Sequence, residues 1–476
     1  MQPQQRPPGC PKDCYVVVNA DQPTTAPVRV PHPALSLWQS CVRHVVATHV
    51  AEGDINNPDV ARHRLVTDAD DYVRQRRAYG YATVPRAVET VSGTENPFEI
   101  ALAHAHNLVI KLGAFAEAVG HFSNLDPLFV ECVFEFVKFY WLANRQPHYR
   151  DWKGLSKDVS FGVVADPIPS SARVAIIGDW GTGMPDAELL LEALLATEKP
   201  DVLIHLGDVY YSGTPAEFQH NFASVLNTAV LKLGKAPRVY AIPGNHDYYA
   251  GGGAFYDLID TLNTETTRQT ASYFCLRTED EKVQFLGMDT GFNDRAPGVA
   301  FDRGYKAPMP HDSEIEWIKD KLANFKGKTI LLSHHQAFSA HSAINGPDSG
   351  EPQDRNQQLL NSLDLDLGRV IAWLWGHEHN LVLFEDGQLG VAKGRLVGCS
   401  AFETTPGDDP YQINFPAIRV QPPRLQRSGN WFNHGCALVD LGKNQIAYLQ
   451  MAAWTEGMPV PRPTLTEMTH EAFDVG

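Results

Sequence analysis

An α/β fold preceded by a mostly helical segment is the class predicted by this 476-residue sequence, and three observations predict it. Between residues 33 and 144 apolar side chains recur at intervals of three and four, as in Leu35, Trp38, Val42 and Val45, which is helical spacing. After about residue 158 the pattern changes to short apolar runs of strand length separated by helical stretches. Several of these runs end in a glycine or serine followed by aspartate, asparagine or histidine, at the strand ends where α/β sheets place their functional loops. The chain therefore divides into a flexible N-terminal segment (1–32), a helical domain (33–158) and an α/β catalytic domain (159–476).

The first element, "MQPQQRPP", is rich in glutamine and proline, and the only apolar run in the first 20 residues is Tyr15-Val-Val-Val. No secretory signal is read there, so a cytoplasmic location is expected. In the helical part, Pro97 after Asn96 and Pro127 after Asp126 each mark a helix start, because proline at the first helical position forfeits no hydrogen bond. The run Leu128–Leu142 is 15 residues long and contains two glutamates and a lysine, short of the ~20 apolar residues a membrane span needs. It reads as a buried helix. His104, His106 and His121 are read as hydrogen-bonded filler, since positions 104 and 106 lie on different helix faces. Capping of the site, dimerisation and contact with a partner stay open as roles for this part.

In the catalytic part, strands are expected at 173–177, 202–206, 238–242, 283–288, 329–332, 371–374 and 395–398, with helices at 186–197 and 311–324. A hairpin, "GCALVDLGKNQIAYLQMAAW", closes the fold. Long Gly/Pro-rich loops near 250–253, 341–358 and 406–430 are of the kind that rims sites.

Composition narrows the function. The net charge of -16 disfavours nonspecific attraction to nucleic acid or an anionic membrane. The seven cysteines are scattered and odd in number, which reads as reduced thiols. Cys10 and Cys14 are the one close pair, and they lack a second pair at zinc-knuckle spacing.

Five blocks carry the chemistry: "GDWG" (178–181), "GDVYY" (207–211), "GNHD" (244–247), "LLSHH" (331–335) and "GHEH" (376–379). Each alone is weak. Together they deliver carboxylates, a carboxamide and imidazoles with no thiolate, a donor list that suits iron, manganese or zinc. A carboxylate shared by two cations ~3.5–4 Å apart would leave room for a bound water or hydroxide that attacks a phosphate.

In this order the blocks resemble those of the calcineurin-like metallophosphoesterases over about residues 170–450. The resemblance implies a four-layered α/β/β/α sandwich. Many members carry a histidine two residues after the first aspartate, whereas Asp179 is followed by Trp180 and Gly181. The pattern Gly-Asp-x-Gly, then Gly-Asp-x-x-Tyr at Gly207, Asp208 and Tyr211, is more similar to the purple acid phosphatases.

Carried over by position, the resemblance implies a first metal on Asp179, Asp208, Tyr211 and His379, and a second on Asp208, Asn245, His334 and His377, with Asp208 as the bridge. Tyr211 as a phenolate calls for Fe(III), with Fe(II), zinc or manganese at the second position. His246 is implied as the general acid and Asp247 as its orienter, while Tyr210 packs or contacts substrate. His335 stands where that family has serine or arginine, and it reads as a supporting group or a substrate contact, with His341 a further contact.

The expected activity is hydrolysis of a small phosphate monoester by a metal-bound hydroxide, with no phosphoenzyme. The alternatives are a phosphodiesterase acting on cyclic nucleotides or phospholipid head groups, and an inactive scaffold. A further reading takes Arg419, Arg424 and Arg427 among the aromatics of 411–431 as a nucleic-acid surface, although the acidic charge argues against a polymer.

Overall fold

Residues 135, 139–140, 144–156, 158–234, 236–295, 308–344, 353–363, 367–404, 409–428, 431–453 and 464–475 are described by the computed structural model. The expected segment 1–32, the helices and histidines expected between 33 and 134, and the dimer or partner contact assigned to them lie outside the described residues.

The strands in chain order are β1 (Arg173–Ile177), β2 (Val202–His205), β3 (Arg238–Ala241), β4 (Phe274–Arg277) and β5 (Val283–Gly287). Next come β6 (Lys328–Ser333), β7 (Val370–Trp375), β8 (Leu381–Phe384), β9 (Gly394–Val397) and β10 (Val420–Gln421). The short pair β11 (Arg427–Ser428) and β12 (Trp431–Phe432) precedes β13 (His434–Asp440), β14 (Gln445–Met451) and β15 (Thr466–Ala472).

They form two large sheets, one in the order β15-β14-β13-β1-β2-β3 and the other in the order β10-β8-β9-β7-β6-β5-β4. β1, β2 and β3 run parallel, as do β5, β6, β7 and β9, so the first sheet is parallel at its β3 end and antiparallel at its β15 end, while the second has a parallel centre between antiparallel margins. Parallel strands in such a sheet are covered on both faces, and alternate residues of β1 enter different cores. Val174 and Ile176 join the core between the sheets with Ile204, Phe285, Ile330 and Leu374. Ala175 and Ile177 face outward to meet Leu190 and Leu191 of the helix Pro185–Ala193 and Leu226 and Val230 of the helix Val225–Leu233.

The far face of the second sheet is covered by the helix Asp312–Asn324, whose Trp317 and Ile318 are fully buried and whose Lys321 carbonyl accepts from Gln284 of β5. The layers are those of the metallophosphoesterase sandwich. Just before the first sheet, Trp152 donates its indole N–H to Ser313 O at 2.8 Å, and Val164 N–H donates to Cys275 O at 2.9 Å, so residues 152–156 and 158–164 pack against the body of the fold. The five motifs follow the C-terminal ends of the parallel strands β1, β2, β3, β6 and β7.

Candidate metal centre

Tight turns after the strands bring the motif residues together. Asp179, Asp208 and His377 all have positive φ, at 54°, 71° and 73°. Left-handed backbone is costly for residues other than glycine and is tolerated where the surroundings enforce it, commonly at functional sites. Gly244 permits the closest approach: a Cβ there would lie 2.0 Å from Asp208 Oδ1.

One group of donors gathers around Asn245. Its Oδ1 lies 3.1 Å from His334 Nε2 and 3.1 Å from His377 Nδ1, and those two nitrogens are 3.2 Å apart. Asp208 Oδ2 is 3.3 Å from His334 Nε2. The orientations are fixed from behind. Asn245 Nδ2 donates to the Tyr249 hydroxyl at 2.7 Å, which turns its oxygen inward. His334 Nδ1–H donates to Leu206 O at 2.9 Å, which leaves Nε2 to face Asn245.

A second group adjoins it. The Tyr210 hydroxyl donates to Asp179 Oδ1 at 2.7 Å and lies 3.0 Å from His379 Nε2, with that nitrogen 3.5 Å from Asp179 Oδ1. Neighbouring ligands held ~2.0–2.2 Å from a shared cation stand roughly 3.0–3.5 Å apart, so apart from the shorter Tyr210–Asp179 hydrogen bond both groups have the spacing and chemistry of metal ligands. Asp179, Asp208 and His334 together also offer ligand atoms within 4.8 Å of one another.

The phenol in this arrangement belongs to Tyr210, whereas the sequence pattern pointed to Tyr211. The backbone explains the difference. Tyr210 N–H donates to Gly181 O at 2.9 Å, and Asn221 Nδ2 donates to Tyr210 O at 2.7 Å, holding residue 210 against the loop that carries Asp179. Tyr211 turns its own N–H to Glu217, and its carbonyl accepts from His246 Nδ1 at 2.6 Å. That contact commits Nδ1 and makes Nε2 the ring nitrogen at which a proton can exchange. His246 is only half-buried, while Tyr210 and Tyr211 are buried.

Asp247 accepts backbone N–H groups from Gly244, Val209 and Asp208 at 2.7, 2.9 and 3.0 Å, and so shapes the turn beneath His246. His335 uses both ring nitrogens internally, on Thr290 Oγ1 and Asp294 Oδ2, each at 3.0 Å. Its contacts are those of a supporting group. His341 is buried, and its Nδ1 bonds Gln412 O at 2.9 Å.

The site is strongly polarised. Burial alone would lower the His334 imidazole, but Asp208 reverses this and raises it to about 9. Burial would raise Asp208, yet His334 beside it holds that carboxyl well below the usual range. Burial and the Asp208 charge push Asp247 up to about 8, against the pull of its three backbone donors. The His246 imidazole is lowered, chiefly by burial. Burial, reinforced by Asp179 and Asp208, raises the Tyr210 phenol well above its ordinary value.

Residues 172–381 match the model of the calcineurin-like phosphoesterases.

The match spans less than half of the chain, whose central part carries a calcineurin-like phosphoesterase domain.

That domain is of the metallophosphoesterase type. Tartrate-resistant acid phosphatase type 5 of Mus musculus is 26% identical over 253 residues, covering 46% of this chain and 70% of that protein. A probable glycerophosphodiester phosphodiesterase, GpdQ of Arcobacter nitrofigilis, is 24% identical over 187 residues, covering 38% of this chain and 58% of that protein. A solved structure of PhoD has 14% identity and a TM-score of 0.38, with 64% of this chain and 70% of that chain covered. No helix among the described residues is long and apolar enough to cross a membrane.

The arginines of the 411–428 loop are engaged locally. Arg424 lies over Tyr411, Arg427 over Phe432, and Arg419 reaches Glu385 at 3.5 Å. Residues that the sequence reading did not single out complete the centre's surroundings. Thr290 and Asp294 hold His335, Tyr249 orients Asn245, and Phe402 stacks on His379 at 3.7 Å between ring centroids. Thr290 and Phe402 lie in loops, and Tyr249 and Asp294 end helices too short to show a period, so nothing in the sequence marked them.

Proposed function

We propose that this metallophosphoesterase hydrolyses small phosphate monoesters at a centre for two cations, with Asp208 between them. The observation that carries the reading is the pair of adjoining donor groups, Asp179–Tyr210–His379 and Asn245–His334–His377, with Asp208 beside His334 and His246 at the rim. Two bound cations would supply Lewis-acid activation of a water and of the phosphate.

The chain's own groups do the rest. Asp208 would balance charge at both positions, and Asn245, His334 and His377 would hold the second. Asp179, His379 and the Tyr210 phenol would hold the first, and because burial disfavours ionising that phenol, a strong Lewis acid such as Fe(III) is the fitting occupant. His246, with Nδ1 committed to Tyr211 O, would deliver a proton from Nε2 to the departing alkoxide, worth ~10²–10⁴ in rate. Asp247 would keep the His246 turn in place.

Cleavage of a diester is the second reading, favoured by the similarity to the probable phosphodiesterase GpdQ. Assays with p-nitrophenyl phosphate and its bis ester, each with iron, zinc or manganese, decide the class. Faster monoester hydrolysis is expected; a preference for the bis ester selects the second reading, and no metal-dependent hydrolysis of either overturns both.

A further inference from the structure

A third set of metal-ligating side chains lies apart from the two donor groups. Asp186, Glu403 and His434 each offer a ligand atom, and those atoms all lie within 4.8 Å of one another. The three residues are 0%, 2% and 1% exposed. They come from separate elements: Asp186 from the first turn of the helix Pro185–Ala193, His434 from the start of β13, and Glu403 from the loop after β9.

His434 is the telling member. Its Nδ1 faces Cys399 O at 3.3 Å, while its Nε2 is buried and makes no hydrogen bond, with Asp186 Oδ2 at 3.6 Å, beyond hydrogen-bond reach. A buried imidazole nitrogen aimed at a carboxylate but short of bonding it has the placement of a ligand around a shared centre.

We infer that Asp186, Glu403 and His434 bind a third divalent cation, separate from the catalytic pair. One imidazole and two carboxylates form a hard-to-borderline donor set, which fits zinc, manganese or ferrous iron rather than a soft metal. The position suggests what the ion does. Phe402, next to Glu403, stacks on His379, and Thr404 Oγ1 donates to His379 O at 3.2 Å. Asp186 lies a few residues beyond Asp179 in the same loop-to-helix turn. A cation here would fasten two segments that set the position of the first donor group.

Elemental analysis tests this after loading with zinc or manganese and removal of free ion. Glu403→Gln and His434→Gln should each carry one cation per chain fewer than wild type. Asp208→Ala, whose lesion lies in the catalytic centre, should retain one cation, and Asp208→Ala combined with Glu403→Gln should retain none. Because the readout is a difference between chains, it holds whether the catalytic centre takes one ion or two. Glu403→Gln conserves shape and stands in for His434→Gln if the latter fails to fold. Equal metal in wild type and Glu403→Gln overturns the site. Complete loss of metal from Asp208→Ala overturns it as well.

Discussion

A carboxylate placed between two cations does more than either terminal ligand, because removing it takes a ligand from both and leaves their repulsion uncompensated. Asp208→Ala should therefore lose metal from the catalytic centre and activity together, measured by elemental analysis and by ester hydrolysis. His246→Ala should keep those metals and chiefly lower kcat, by ~10²–10⁴ and most for poor leaving groups. Protonation makes a second prediction at this scale. His334 is raised to about 9 by Asp208, so below that pH the metal-free imidazole is charged, and a cation must displace its proton. Metal affinity should fall by about tenfold per unit as pH drops below about 9, and calorimetry in buffers of different ionisation enthalpy should detect the released proton. The phenol gives a third. With Fe(III) shown by elemental analysis to be bound, the protein should absorb in the visible, and Tyr210→Phe should bleach it while Tyr211→Phe should not. Bleaching only in Tyr211→Phe would return the ligand role to the residue that the sequence pattern favours.

Turns and strand ends decide whether these donors meet. Gly244 begins the "GNHD" turn, and a methyl group there would sit 2.0 Å from Asp208 Oδ1. Gly244→Ala should push the turn away from Asp208, which accepts the His246 N–H at 3.0 Å, and should weaken metal binding more than it lowers thermal stability. The same scale shows what the sequence made legible. Central strands such as β2, β6 and β7 are continuous apolar runs ending in motif residues, and their positions agree with expectation to within a residue or two. β15 reads "TEMTHEA", polar because it is an exposed edge strand, so the hydrophobic pattern carried no sign of it. The helix Val225–Leu233 also escaped notice, although its Leu226, Ala229 and Val230 form a buried stripe. Motif spacing pointed to Asp179, Asp208, Asn245, His334, His377 and His379, whose side chains lie close together in the fold. Which of two adjacent tyrosines turns inward depended on bonds to Gly181 and Asn221, contacts made only after folding.

At the scale of the whole molecule, the two sheets are joined at one margin by a buried ionic cluster. Arg395 of β9, 1% exposed, binds Glu471 of β15 through Nε at 2.7 Å and Nη2 at 2.6 Å, and Nη2 also reaches Asp386 at 2.6 Å. Tyr448 of β14 donates to Glu471 at 2.6 Å, and Lys393 reaches it at 2.9 Å. Arg395→Met should destabilise the protein near the lower end of the ~3–5 kcal/mol typical of an orphaned buried charge, because Glu471 keeps Lys393 and is 17% exposed. Arg395→Met with Glu471→Leu should recover most of that loss, since both charges then go. The pH dependence follows from the carboxyl. Burial raises Glu471, but Arg395 lowers it by more, so its net value is depressed. A depressed carboxyl contributes stability that is complete above its unfolded value of about 4.3 and is lost as pH falls through the folded value. Denaturant unfolding of wild type and Arg395→Met should therefore differ most near neutral pH, with the gap closing below about pH 4. A gap that stays constant through that range would mean that Arg395 stabilises the sheet margin by packing and carbonyl bonds alone.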